Sequence, residues 1–387
     1  MARTRRSTSL HLGTVFSLAL LAGGLCLGQE DFDVLSRQAD TARAEGRLDD
    51  AATLYRQLVD LRPDWQQGRW FLGTILYDQG KYDEALQVFQ SMVTRWPHHG
   101  PAVALSGLCQ FQMGEYQQAL QSFQQGRTLG LGDNPQMLAT IRYHAALCLN
   151  RLGQFDAAYE ALRVFAYENH QSRGIIRGLG LSALRLPYLP DEVPAGKDEL
   201  VTMMGRAAFE GERGERARAD ALYRQILEKF PQEPGVHYAY GAFLLRDHGD
   251  DALDQFIAEL KCSPDDIPAL MQLTFEYLRR GDFDRARPFA ERTVRVAPEQ
   301  FAGHNALGRI LLETGDVDGA IRELETAVKL APLAPENRLA LSSAYLKAAR
   351  KEDALRERAE YKRLSDLKRE AQRGLEERST ASPPPRR

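Results

Sequence analysis

The sequence predicts an all-α fold, a right-handed α-α superhelical solenoid of about nine to ten helix-turn-helix units. Three observations carry that expectation. An alanine that follows a turn, of the form Gly-x-aromatic-x-x-Ala at Ala85, Ala119, Ala158 and Ala286, returns at Ala51, Ala85, Ala119, Ala158, Ala219, Ala252, Ala286, Ala320 and Ala354, in steps of 34, 34, 39, 61, 33, 34, 34 and 34 residues. A fixed period of this length marks stacked supersecondary units. Within a unit the apolar residues fall three or four apart, as at Leu72, Leu76 and, past the turn, Leu86 and Phe89, so each helix has one apolar stripe and each pair a face it cannot cover alone. With 43% hydrophobic and 27% charged residues in 387, the chain has material for a packed core, which excludes a disordered or collagen-like polymer.

The first element is an address. Arg3, Arg5 and Arg6 precede an apolar run from about Leu10 to Leu27, and small residues stand before Gln29, the three-part plan of a secretory signal. Residues 1–28 are read as that signal, removed after Gly28. A retained anchor is the competing reading, because the run approaches the ~20 residues that span a bilayer; Gly23, Gly24 and Gly28 weigh against it. The expected location is periplasmic or secreted, with membrane attachment only through an uncleaved signal.

An N-terminal array follows over residues 32–170 and a C-terminal one over 200–364. Gly46, Gly80, Gly114, Gly153, Gly214, Gly281 and Gly315 are placed to end the first helix of a unit, where a residue able to take positive φ stops it. Asp49, Asp83, Asp156, Asp284 and Asp318 follow, and are expected to help cap the next helix. Gly73, Gly107, Ala146, Ala207, Gly241 and Gly308 let the paired helices approach, while Pro63, Pro97, Pro231, Pro264, Pro298 and Pro332 end the second helix. The 61-residue step spans a break at 171–199. There residues 173–186 read as a first helix, but Pro187, Pro190 and Pro194 forbid a regular second one. This degenerate unit is either a bend or hinge between sub-arrays, or a loop laid over one face. Beyond Leu364 the last helix is expected to continue as a polar capping helix over 365–378, and STASPPPRR at 379–387 is a disordered tail by composition.

The best unit reads Leu72-Gly73, Leu76, Gly80-Lys81-Tyr82, Ala85, Phe89 and Pro97, and another reads Leu307-Gly308, Leu311, Gly315, Val317, Ala320, Leu324 and Pro332. These spacings resemble the tetratricopeptide repeat, over about residues 32–364. The resemblance implies a ligand along the concave face, on first-helix residues that point away from the partner helix. Mapped onto this chain, that face comprises Trp70, Thr74 and Tyr77; Ala104, Leu108 and Phe111; and Tyr143, Leu147 and Asn150. It continues with Tyr238, Ala242 and Leu245; Met271, Phe275 and Leu278; and Asn305, Arg309 and Leu312. The set is more aromatic and apolar than basic. The family's carboxylate clamp for acidic peptide C-termini needs Lys, Arg and Asn at such places, and no run of three units provides them. For single rings, Tyr143 and Tyr238 above all, packing between helices is the alternative.

Chemistry is otherwise sparse. Fifty Lys plus Arg against 53 Asp plus Glu leave a net charge of −3 and no long basic run, so nucleic acid is not the expected partner. Gly178-Leu179-Gly180-Leu181-Ser182-Ala183 fits a dinucleotide fingerprint, but lacks the preceding strand; close helix packing explains its glycines. No H-E-x-x-H, Cys-x-x-Cys or Gly-x-Ser-x-Gly string occurs, so no metal, cofactor or catalytic residue is expected. His98 and His99 read as solvated turn residues. Cys109, Cys148 and Cys262 read as small buried thiols.

The expected function is a non-catalytic scaffold or adaptor that binds an extended peptide or partner protein, the alternative being an accessory subunit of an envelope enzyme or of a secretion or assembly complex. The N-terminal reading is directly testable: sequencing of the protein from the envelope fraction should begin at or near Gln29, and a chain that starts at Met1 and resists carbonate extraction would establish the anchor instead.

Overall fold

The structure, a computed structural model, describes residues 29–247 and 249–380, so the segment 1–28, expected to be a signal, and most of the expected tail lie outside the described residues. Among the described residues there are nineteen α-helices and no strand. None of these helices is long and apolar enough to cross a membrane. The chain divides into two compact units, Met1–Cys148 and Leu149–Arg387.

The first unit contains α1 (Gln29–Ala44), α2 (Leu48–Leu61), α3 (Gln66–Asp78), α4 (Tyr82–Arg95), α5 (Gly100–Gln112), α6 (Tyr116–Leu129) and most of α7 (Pro135–Arg151). Helices α1–α2, α3–α4 and α5–α6 pair as hairpins, which stack through α2 on α3 and α4 on α5. The second unit takes the end of α7, then α8 (Phe155–Tyr167), α9 (Arg173–Ala183), α10 (Ala195–Glu212), α11 (Arg216–Lys229), α12 (Val236–Leu244) and α13 (Gly249–Cys262). It continues with α14 (Ile267–Arg279), α15 (Phe283–Val296), α16 (Phe301–Glu313), α17 (Val317–Leu330), α18 (Pro335–Lys347) and α19 (Lys351–Thr380). Its hairpins run from α10–α11 to α18–α19, and first helix touches first helix at α14–α16 and α16–α18.

Four hairpins are closed by a side chain of the second helix seated on a glycine gap in the first. A Cβ at Gly107 would stand 2.7 Å from the Phe123 ring, and the same fit recurs at Gly73 on Phe89, Gly241 on Phe256 and Gly308 on Leu324. The repeated alanines from Ala51 to Ala354 are all buried beside these contacts. The seven turn glycines take φ between 72° and 93°, so the chain reverses where a Cβ would be strained. In the α18–α19 turn the position is Ala349, which adopts φ 57° without a glycine's freedom.

Several details differ from the sequence expectation. The acidic residues Asp49, Asp83, Asp156, Asp284 and Asp318 lie in the first turns of their helices, where they complement the helix dipole. At the second helices α15 and α17 the side chains that cap backbone amides are those of the preceding Asp282 and Asp316, which accept from Arg285 N at 3.1 Å and Gly319 N at 2.9 Å. His99 is a half-buried N-cap whose Nδ1 accepts from Ala102 N at 3.0 Å. Cys109 and Cys148 are buried, and burial pushes their thiols up to about 12. Cys262 is only half-buried. The helix that the sequence extends beyond Leu364 does run on, with 365–378 forming the last part of α19. The break at 171–199 falls inside the second unit, because α9 packs between α8 and α10.

A recurring polar tie links consecutive hairpins. Arg69 Nε donates to Pro63 O at 3.0 Å and Arg69 Nη1 to Ser91 Oγ at 3.0 Å. His304 occupies the same place, with Nε2 2.9 Å from Pro298 O and Nδ1 2.6 Å from Glu323 Oε2. Arg338 repeats it on Pro332 O and Glu357. The residue thus fastens the carbonyl that ends one hairpin to the second helix of the next.

The glycine contact predicts a severe effect of overpacking. Gly107→Leu should lower unfolding stability by about 1–3 kcal/mol or more, read by chemical denaturation, whereas Gly80→Asn, in an open turn at φ 72°, should cost less because asparagine tolerates that region.

Candidate binding face

The face opposite each glycine contact is set by helix geometry. Counting from the small residue of a first helix, positions three before, one after and four after it share that face. In the first unit these residues are largely absorbed by packing. Trp70 lies 6.0 Å from the Phe89 ring and 5.6 Å from His99. Thr74 Oγ1 donates to Phe71 O at 3.0 Å, and the Tyr77 hydroxyl accepts from Gln112 Nε2 at 3.1 Å. Leu108 is buried, and Phe111, also buried, stands edge-on to His144 at 4.9 Å and to Tyr116 at 5.6 Å. Tyr143 is half-buried beside His144. For Trp70 and Phe111 the packing alternative describes the observed contacts.

In the second unit several expected face residues are buried, Leu312 and the amides Asn305 and Asn150 among them. Asn305 is buried and its Nδ2 donates to Asn337 Oδ1 at 2.9 Å. Asn150 is 2% exposed. Its Nδ2 donates to Leu186 O at 2.8 Å and Tyr188 O at 3.1 Å, and its Oδ1 accepts from Ser182 Oγ at 3.1 Å. Both amides therefore serve the fold, since a buried amide must find partners.

The partners of Asn150 belong to the proline-rich break. Helix α9 is a first helix in register whose second helix is missing, and α10 packs on it directly. A Cβ at Gly180 would stand 2.0 Å from Val201 O, and one at Gly205 1.8 Å from Ile176 O, so backbone meets backbone where other units place a ring. Arg185, at φ 57°, ends α9. The segment that follows is tied down by Asn150, by Arg151 Nη1 to Pro187 O at 2.8 Å, and by buried Arg177, whose Nη1 donates to Pro190 O at 2.6 Å. Arg177 also pairs with Asp198. Of the two readings of this break, the loop laid over one face is the one these bonds describe, and the covered face carries Arg177 and Asn150.

Beyond that loop the face opens. Tyr238, Met271 and Phe275 line one groove of about 820 Å³, together with Pro298 and Gln300. Met271 is buried, forming the floor, whereas Phe275 is 41% exposed. Tyr238 is held by its backbone. Buried Glu259 of α13 accepts from Gly235 N at 2.7 Å and Tyr238 N at 3.0 Å, and burial raises the Glu259 carboxyl above its usual range. The Tyr238 ring faces Phe256 at 5.7 Å and the Arg185 guanidinium at 5.7 Å. Arg309 is exposed farther along. The corresponding positions of α18, Leu339 and Leu346, are 40% and 50% exposed. They were not among the sequence candidates, although the 34-residue step from Asn305 and Leu312 reaches them.

Models of the tetratricopeptide repeat match residues 36–99, 276–335 and 305–363, a second such model matches 76–138 and a third 202–233. Together they span more than half of the chain. This protein belongs to the tetratricopeptide repeat family. No curated protein matches it in sequence. Among solved structures it is similar to a MamA RS-1 double mutant, with 18% identity over 43% of this chain and 94% of that one and a TM-score of 0.40. Another structure of MamA shares 14% identity over 42% of this chain and 96% of that one, with a TM-score of 0.40. YrrB, described as a TPR protein with an unusual peptide-binding site, shares 18% identity over 42% of this chain and 84% of its own, with a TM-score of 0.39.

The loop bonds make a prediction. Asn150→Ala leaves the Leu186 and Tyr188 carbonyls without their partner, and should lower stability by about 1–3 kcal/mol. Limited proteolysis should then cut within residues 186–192 faster than in the parent protein.

Proposed function

We propose that this protein is a non-catalytic interaction scaffold that holds an extended peptide segment along the first-helix face of its second unit, from Tyr238 through Phe275 to Leu346. The observation that carries the reading is the set of large apolar side chains left in solvent on this face of α14 and α18, Phe275, Leu339 and Leu346, with exposed Arg309 of α16 between them. Contiguous exposed apolar surface marks an interaction site. An extended occupant is favoured because the same register, at Asn150 and Arg177, already holds a stretch of the chain's own main chain through its carbonyls. Family membership supports protein binding in general. We further propose export through residues 1–28, which would place the partner outside the cytoplasm; an envelope enzyme or secretion complex containing this chain would be one such setting.

The test uses Phe275→Ser, Leu339→Ser and Leu346→Ser in the full chain. Each replaces an exposed side chain, so thermal unfolding should stay within a few degrees of the parent. Partners captured by the parent from the native envelope should be lost by about tenfold or more, as expected when an aromatic or leucine anchor worth ~1.4 kcal/mol or more is removed. Undiminished capture by all three variants would move the site off this face.

A further inference from the structure

A second cavity, of about 220 Å³, adjoins the groove across Asp156, Arg185 and Tyr238 and lies between α8, the end of α9, α10 and α12. It exists because the face positions that elsewhere carry large residues are vacant here. Where α5 has Leu108 and Phe111, α10 has Ala208 and Gly211, and α12 has Ala242 at the first of those two positions. One wall is aromatic: Tyr223 packs on Phe243 at 4.9 Å and on Tyr240 at 5.3 Å, and a Cβ at Gly211 would stand 3.2 Å from the Phe243 ring. For scale, a buried apolar cavity of about 150 Å³ accommodates benzene, so this one has room for a ring with a short substituent.

The opposite wall is polar and ordered. Glu212, little exposed, accepts from the Tyr159 hydroxyl at 3.1 Å and the Tyr167 hydroxyl at 2.8 Å, with Arg163 Nη1 3.9 Å away. Arg163 also pairs with Glu160 at 2.9 Å, Arg185 with Asp156 at 3.0 Å, and Arg216 with Asp247 at 2.7 Å. Arg246 lines the mouth, is exposed, and sits by the Tyr159 and Tyr167 hydroxyls. Among the described residues it has no carboxylate in an ion pair. A guanidinium so placed, above an aromatic pocket, suits a planar carboxylate by bidentate hydrogen bonding.

We propose that this cavity binds a single aromatic ring bearing a carboxylate on a short arm, the ring against Tyr223 and Phe243 and the carboxylate on Arg246. The group would come either from a free aryl acid or from an aromatic residue beside an acidic one in a bound peptide. The peptide source rests on the groove reading above, while the free acid does not.

The probes are 4-hydroxyphenylacetate, its neutral counterpart 4-methylphenol, and the capped dipeptide acetyl-Tyr-Asp-amide, titrated into the full chain by calorimetry and ligand-observed NMR. Ala242→Phe fills the mouth from an exposed position, and Arg246→Gln removes the charge; unchanged melting temperatures keep both informative. At least one acidic probe should bind, at least about tenfold more tightly than 4-methylphenol, and lose about tenfold or more in each variant. Tighter binding of the dipeptide assigns the group to a peptide, and equal or tighter binding of 4-hydroxyphenylacetate assigns it to a free acid. No binding of either acid, or binding that survives both variants, overturns the proposal. Phe275→Ser should leave the 4-hydroxyphenylacetate affinity unchanged, so failure of the groove and failure of this cavity are read separately.

Discussion

A ring or a branched aliphatic group pressed into a gap with no Cβ is the contact on which the hairpins depend. At Gly107 and Phe123, as at Gly73 and Phe89, it brings the two helices of a pair to a separation that any larger residue would forbid. Close approach does more than bury area. It fixes the rotation of the first helix about its axis, because only one side chain in the turn leaves room for the ring. Once that rotation is fixed, the residues three before and one and four after the glycine must share one outward face. The composition of that face is therefore free to vary, and it does, from Leu108 and Phe111 to Ala242 and Arg309.

The departure at α9 follows from losing the ring partner. With three prolines where its second helix should be, α9 has nothing to seat on Gly180, and α10 moves in with its own Gly205. Two glycines facing two carbonyls let backbone meet backbone at this pair. The chain between them must still satisfy its carbonyls, and Asn150, Arg151 and Arg177 do this from outside the loop. The small residues of α10 and α12 then leave the cavity above Glu212 unfilled. The missing helix thus accounts for the loop, and the small residues of α10 and α12 for the cavity beside it.

How much of this was legible in the sequence depends on the range of each contact. Helix ends, turn glycines, repeated alanines and the second-helix prolines are local or strictly periodic signals, and they lie where the spacing puts them. The turn at Ala349 escaped because its residue type does not advertise positive φ, while the surrounding repeat imposes it. Asn150 and Asn305 were read as surface because register alone cannot tell an amide facing solvent from one facing a loop or a neighbouring helix. The ties of Arg69, His304 and Arg338 to proline carbonyls join residues six apart with different side chains, so no single motif betrays them. The division at Cys148, rather than at the proline-rich stretch, was invisible for a similar reason: prolines interrupt a helix without separating what packs around it.

The pinned loop also sets a measure for whatever lies on this face. It closes the register at α9, and the last first helix is α18, so an occupant has the span from α10 to α18 and no more. Neighbouring helices stand roughly 8–10 Å apart, which makes the four steps about 32–40 Å, and an extended chain advances about 3.3–3.6 Å per residue. A segment of about nine to twelve residues would exhaust it. On the proposed reading, a loop that never leaves its own chain would thereby set selectivity for length, as distinct from sequence, at one end of the second unit.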